Sequence, residues 1–247
     1  MSSSIGKTFW QQTKHAFLPP SPQSRGEPQP PLELPYDPKA ELIPLTNPNQ
    51  LSLPDVSLWE VMNQRTTLRR YGSEPLTINE LSALLWFTQG VKEVTNRPVT
   101  LRTVPSAGAR HAFETFLLVN RVEGLQAGLY RYVALEHALL GLNFNEDINE
   151  KLTQACFNQR QVATSAVSFF WAAVGARMFW RYPERGYRYL LLDAGHICQN
   201  LYLAAEGLGC GVCAIAAYDD DAINAALGFD GETIFLVYAA SLGKRMG

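Results

Sequence analysis

The chain has 247 residues, of which 47% are hydrophobic, enough to bury one substantial core, and a formal charge of −2. Its basic residues form no long run, which excludes the electrostatic footprint of a nucleic-acid binder, and no apolar run is long enough to cross a membrane. Met1 to Phe17 lacks the apolar core of a signal peptide, and four cysteines do not make a disulfide framework here, so a soluble cytoplasmic protein with reduced thiols is expected.

Residues 1–54 read as a proline-rich N-terminal arm, and residues 55–247 as the globular domain. Prolines from Pro19 to Pro54 break regular hydrogen bonding, while Leu32, Leu34, Tyr36, Leu42, Ile43 and Leu45 recur, which favours an arm laid across a surface over a disordered tail. Residues 1–17 are expected to be mobile. Asp55 and Ser57 can cap a short helix carrying Leu58, Val61 and Met62. That helix runs into the stretch from Asn63 to Tyr71, where Arg65, Thr66, Thr67, Arg69 and Arg70 crowd together. Guanidinium forks and hydroxyls suit phosphate oxygens; equally, Arg65 and Arg69 can close the C-terminal end of the helix, where cations are favoured. Both readings stand on this stretch alone.

Thr77 to Glu80 fits a capping box, with Leu81, Leu84 and Leu85 at helical spacing and Gly90 as the stop. A loop from Lys92 leads to Pro105, Ser106, Ala107, Gly108, Ala109 and Arg110, small residues that let backbone approach a ligand, or form a simple turn. Strands are expected over Glu114–Val122, Gly128–Val133 and Ala138–Leu142, forming an antiparallel meander. A helix from Asn145 to Cys156 precedes the strand Ala166–Val174, which reads as buried on both faces. Tyr187–Gly207 is the longest helix, with Leu190, Leu191, Ala194, Ile197, Cys198, Leu201, Tyr202 and Ala205 as its apolar stripe. Cys210–Ile215 follows as a strand, then a helix capped by Asp219 and ended by Gly228, then the strand Thr233–Ser241. The class is α+β, with helices packed on one mostly antiparallel sheet.

Cys210 and Cys213 have the spacing of half a zinc site or a redox pair, but no second cysteine pair stands near, and a buried strand is the preferred reading. His196 reads as a satisfied core histidine. His15, His111 and His137 lack partners at metal spacing, so no metal site is expected. No serine sits in a nucleophile elbow, and neither a Walker loop nor a dinucleotide fingerprint is present. An enzyme built on this chain would need a cofactor to carry the chemistry.

The stretch from Arg65 to Tyr71 resembles the opening motif of the FMN-dependent nitroreductase family. Pro105–Arg110, Gly128–Tyr132, and Arg185–Tyr189 with Asp193, His196 and Asn200 resemble its SagB-type dehydrogenase branch, in the same order, over residues 57–247. The resemblance implies a nitroreductase-like sandwich around a long central helix and a homodimer with flavin sites at its interface. It further implies FMN as cofactor, NADPH or NADH as electron donor and a small-molecule substrate. Arg65, Thr66, Thr67 and Arg69 fall where the family holds the FMN phosphate and part of the ribityl and flavin edge. Pro105, Ser106 and Ala107 fall on a turn that packs on the flavin from the partner subunit. Ala214, Ile215, Ala216 and Ala217 fall at the flavin edge, with Ala216 donating to N5, and Lys244 and Arg245 resemble the basic pair completing the phosphate site.

Two departures matter. Thr66 and Thr67 replace Arg and Ser. Members that oxidise azoline rings carry Lys-Tyr where this chain reads Arg181-Tyr182. Arginine stays protonated and cannot be the base that oxidation requires, and Tyr182 suits a proton donor. Reduction of an electron-poor substrate is therefore expected, with azoline dehydrogenation or a non-catalytic flavin-holding role as alternatives. Aromatics from Phe169 to Tyr189 are expected to form the open face of the site or the dimer core.

Overall fold

The computed structural model describes residues 4–246. In chain order the elements are α1 (Ile5–Gln12), β1 (Leu42–Pro44), α2 (Leu58–Gln64), α3 (Ile78–Gln89), β2 (Val91–Val94) and β3 (Thr100–Arg102). Next come β4 (Phe113–Val119), β5 (Gly128–Val133), β6 (Ala138–Asn143), α4 (Ile148–Ala155), α5 (Arg160–Thr164) and β7 (Val167–Val174). The chain closes with α6 (Gly175–Phe179), α7 (Gly186–Gly207), β8 (Cys210–Ile215), α8 (Asp220–Leu227) and β9 (Ile234–Lys244).

Seven strands form one sheet in the order β1-β6-β5-β4-β7-β9-β8, with every neighbouring pair antiparallel. The expected α+β class and the meander β4-β5-β6 hold. Side chains alternate across β7 with period two, so Phe169 and Trp171 enter the core layer shared with α3 and α7, while Phe170 and Ala172 enter the opposite layer with α4, α5 and α8. Local caps set the helix ends. Thr77 Oγ1 accepts from the Glu80 amide and Glu80 accepts from the Thr77 amide, and Asp219 accepts from Ala222 N at 2.9 Å. No helix among the described residues is long and apolar enough to cross a membrane.

Several expectations are corrected. Of residues 1–17, expected to be mobile, residues 1–3 lie outside the described residues, and Ile5–Gln12 form α1, which packs against α7. Arg188 lies 3.7 Å over the Trp10 ring, and both Arg188 and Arg185 donate to Thr13, at 2.6 and 3.0 Å. The loop after Lys92 folds into the hairpin β2-β3. The last strand runs on to Lys244 because Cys210 pairs with that residue. His196 is not a core histidine: it is exposed on the outward stripe of α7, together with Leu191 at 61% and Leu192 at 59% exposure. Leu191 therefore leaves the buried stripe. His137 fits the core description instead, with Tyr132 Oη at 2.7 Å and Ser82 Oγ at 2.9 Å. Cys210 and Cys213 are buried, and burial pushes the Cys210 thiol up to about 12, so both behave as strand residues. Among the described residues no cluster of histidine, cysteine and carboxylate side chains could hold a metal ion.

The proline-rich segment lies on the chain's own surface. β1 pairs with β6, Arg177 Nε donates to Pro31 O at 2.8 Å, and Glu33 accepts from Ala134 N at 2.5 Å. Glu114 accepts from Leu34 N at 2.8 Å and forms a buried ion pair with Arg177 at 2.6 Å, each side chain 4% exposed. Arg102 and Arg131 are buried in the same region. Burial, and then the charge of Glu114, raises the pKa of Glu33 above the usual carboxylate range.

Candidate cofactor site

At the end of α2 the backbone amide of Arg65 closes the helix onto Val61 O. The Arg65 guanidinium turns away and lies 5.3 Å over the Tyr202 ring. The chain then runs extended beside β8: Thr67 bridges Val212 in parallel, and Leu68 N donates to Val212 O at 2.9 Å. Gly211 permits this approach, since a Cβ there would stand 2.2 Å from Leu68 Cδ1. Tyr71 anchors the stretch, its hydroxyl 2.9 Å from Leu68 O and 2.8 Å from Ser241 Oγ, in a site whose burial pushes its pKa up.

Tyr202 of α7 links these residues to β8. Its hydroxyl lies 3.1 Å from Thr67 Oγ1 and accepts from Ala214 N at 3.0 Å. Arg65, Thr67 and Ala214 are thus brought together, with Arg69 close enough to Cys213 to work against the burial that raises that thiol's pKa. Thr66, Ala216 and Ala217 are exposed nearby in sequence, whereas the Ile215 side chain is buried toward α8. Neither Arg65 nor Arg69 has a carboxylate at ion-pair distance among the described residues. Lys244 and Arg245 do: Lys244 pairs with Glu80, and Arg245 pairs with Glu206 at 2.5 Å. Of the four predicted phosphate-site cations, only Arg65 and Arg69 have no carboxylate partner among the described residues.

A second cluster forms around Asp193. This buried carboxylate accepts from Ser106 Oγ at 2.6 Å and from Ala107 N at 3.1 Å, fixing the turn that follows Pro105; burial raises its pKa, opposed by these two bonds. Gly108, at φ 59°, lets the turn approach Tyr182 so closely that a Cβ would lie 2.6 Å from Tyr182 Oη. Tyr182 meets Tyr189 edge-on with centroids 4.9 Å apart, and Arg181 lies 5.5 Å over the Tyr182 ring. The aromatic rim is narrower than expected, because Phe169, Phe170 and Trp171 are wholly buried in the sheet; Phe179, Trp180, Tyr182, Tyr187 and Tyr189 remain at the surface.

His111 closes this turn, donating its backbone N–H to Ser106 Oγ at 2.9 Å. Burial, then the charges of Arg102 and Arg110, push its imidazole pKa down from 6.5 to about 3. A histidine depressed in this way contributes stability that is fully present above pH 6.5 and is lost as pH falls toward 3, because the unfolded chain binds the proton and the folded chain does not. The slope is on the order of 1.4 kcal/mol per pH unit. Denaturant titrations between pH 7 and 4 are expected to show this loss, and His111→Gln is expected to flatten it.

The two clusters sit at different places on α7. Asp193 and Tyr202 are nine positions apart, about 14 Å of rise and about two and a half turns of helix, so they face opposite sides. Just before Asp193, α7 presents Leu191 and Leu192, and α2 presents Leu58, Trp59 and Met62, all exposed.

The fold is thus a helix-covered antiparallel sheet whose edge strand β8 is joined by the Tyr202 hydroxyl to Thr67, with Arg65 stacked on the Tyr202 ring. Residues 62–244 match the Nitroreductase family, and the chain belongs to that family. It is 33% identical over 181 residues to the nitroreductase-like protein MJ1384 of Methanocaldococcus jannaschii, covering 72% of this chain and 89% of that one. It is 29% identical to the trifolitoxin-processing protein TfxB of Rhizobium leguminosarum, over 64% of this chain, and spans 46% of the length of TfxB. Among solved structures, a nitroreductase-like protein from Anabaena variabilis superposes with a TM-score of 0.70 at 31% identity, covering 85% of this chain and 42% of the other. The Escherichia coli microcin synthetase McbBCD complex shares the fold, with a TM-score of 0.61 at 22% identity, covering 82% and 78% of the two chains.

Sequence reasoning missed Tyr202 as the hub of the first cluster, since on α7 it reads as one more apolar position. It also passed over Trp180 and the role of Asp193 in holding the 106–107 turn, contacts that span 86 or 87 residues in sequence.

Proposed function

We propose that this protein is an FMN-dependent oxidoreductase that passes hydride between NADPH or NADH and a small electron-poor substrate, and that it works as a homodimer. The observation that carries this reading is the pair Arg65 and Arg69, free of carboxylates and joined by Thr67 and Tyr202 to β8. A phosphate dianion offsets two neighbouring guanidinium charges. Bound FMN supplies two-electron chemistry that no side chain here can supply. In this reading Arg65 and Arg69 hold the phosphate, Thr66 and Thr67 bind beside it, and Lys244 and Arg245 add long-range positive potential from their ion pairs. Residues Ala214 to Ala217 line the flavin edge, with the Ala216 amide as a donor. Pro105, Ser106 and Ala107 approach from a second copy, because in their own chain they meet the opposite side of α7 from Arg65. The exposed apolar residues of α2 and α7 then become interface.

In the same reading Tyr182 holds a transferable proton at Oη, and Arg181 offsets negative charge developing on the substrate. A second reading, dehydrogenation of a peptide-derived azoline ring, is favoured by the likeness to TfxB and to the microcin B17-processing protein McbC of E. coli, which is 27% identical over 54% of this chain and of which this chain spans 50%. It ranks behind the first because Arg181 cannot take a carbon-bound proton. The test is the visible spectrum of the purified protein, with titrations by NADPH and NADH and light scattering on the same sample. A yellow dimer bleached by either nucleotide is the expected result. A colourless protein, or a flavin-loaded monomer at micromolar concentration, overturns the corresponding part.

A further inference from the structure

We propose that the groove between Arg110 and Arg181 is an oxyanion subsite that seats a carboxylate or phosphate of the reacting molecules. The inference rests on the oxidoreductase reading and adds to it a ligand class: a molecule that itself carries a carboxylate or phosphate.

The groove encloses about 600 Å³ and is lined by Arg110, Trp180 and Arg181, by Arg97 of the β2-β3 turn and by Gln23 of the N-terminal segment. Arg110 is built in: it is 7% exposed, its Nε donates to Gly108 O at 3.1 Å, and its guanidinium lies 5.2 Å over the Trp180 ring. Arg181 is exposed and stacked on Tyr182. Glu93 also lines the groove, yet none of Arg97, Arg110 and Arg181 has a carboxylate at ion-pair distance among the described residues.

Burial, and then the like charge of Arg181, lowers the pKa of Arg110, while a guanidinium remains charged at neutral pH. Two cations thus repel one another with no carboxylate at ion-pair distance among the described residues, and an oxyanion relieves that repulsion while accepting the planar donor forks. The place is also right for a substrate. Gly108, whose carbonyl fixes Arg110, packs on Tyr182 Oη, so a ligand anchored in the groove has its other end beside the candidate reacting face.

The experiment is calorimetric titration of the purified full-length protein with 4-nitrobenzoate and with 4-nitrobenzyl alcohol at low salt, together with KM values for NADPH and NADH. The acid is expected to bind about tenfold more tightly than the alcohol, the scale of one charge-assisted contact, and that preference is expected to collapse toward unity in Arg110→Gln and in Arg181→Gln. Arg181 is exposed, so its variant keeps the test alive if Arg110→Gln fails to fold. If instead only a preference for NADPH over NADH collapses, the subsite stands and its oxyanion is the nucleotide's extra phosphate. Equal binding of acid and alcohol with no nucleotide preference, or preferences that survive both substitutions, overturns the proposal. Intact discrimination in a protein that reduces nothing with either nucleotide would sink the oxidoreductase reading and leave the subsite.

Discussion

The double substitution Arg65→Ala, Arg69→Ala is expected to yield a folded protein that loses its flavin on desalting. Each arginine removed costs a charge-assisted bond of about 1.5 to 3 kcal/mol, roughly ten- to a hundredfold in affinity. The structure adds a ranking. Lys244 already pairs with Glu80, and Arg245 with Glu206, so removing either cation takes less charge from a bound phosphate than removing Arg65 or Arg69. Lys244→Ala is therefore expected to weaken flavin binding less than either single arginine variant. Flavin dissociation constants from fluorescence recovery would measure the order, and full flavin retention by the double variant would sink the phosphate assignment.

The second large effect is on stability. Glu114→Gln leaves the buried Arg177 guanidinium without its anion, in a region that also encloses Arg102 and Arg131. Breaking one side of such a pair costs about 3 to 5 kcal/mol. For a chain of this size that lowers Tm by roughly 6 to 20 °C. Glutamine keeps an oxygen for the Leu34 amide, so the loss reports the charge. Arg131 Nε and Arg177 Nη1 find no hydrogen-bond partner among the described residues, which makes the remaining carboxylates harder to spare. Pairing Glu114→Gln with Arg177→Met is expected to recover much of the loss, because it removes the uncompensated charge. Calorimetric melting of the unaltered protein and of these two variants checks both statements.

What was legible in the sequence follows from how far apart the interacting groups lie. The capping box at Thr77 and Glu80, the cap at Asp219 and the stop at Gly228 are local, and the elements they bound appear where the spacing puts them. The strand Val167–Val174 was legible because an unbroken apolar run suits burial on both faces. His196 was misread because its neighbours in sequence are apolar while its neighbours along the helix face are Leu192, Gly195 and Gln199, all exposed. The hairpin β2-β3 carries Lys92 and Glu93 on a largely exposed face and shows no alternation to read.

The candidate site was half legible. Arg65, Thr67 and Arg69 announce themselves by type and density, but their junction with Ala214 runs through Tyr202, 135 residues from Thr67. The buried charges were silent for the same reason, since Glu33 caps a backbone amide 101 residues away. A signal did exist in Arg131, a charge in the middle of the otherwise apolar run Gly128–Val133.

The two margins of the sheet bear on how copies of this molecule avoid one another. A margin of bare amides and carbonyls is a template on which a further strand can add without limit. Here the β8 margin is overlaid by Thr67 and Leu68, and the β6 margin by β1, a run of only three residues that ends in Pro44, which has no N–H to offer a newcomer. The N-terminal segment thus acts as a gatekeeper: a chain trimmed to begin after Leu45 would bare the margin of an apolar sheet and become prone to fibrous self-association, whatever became of its chemistry.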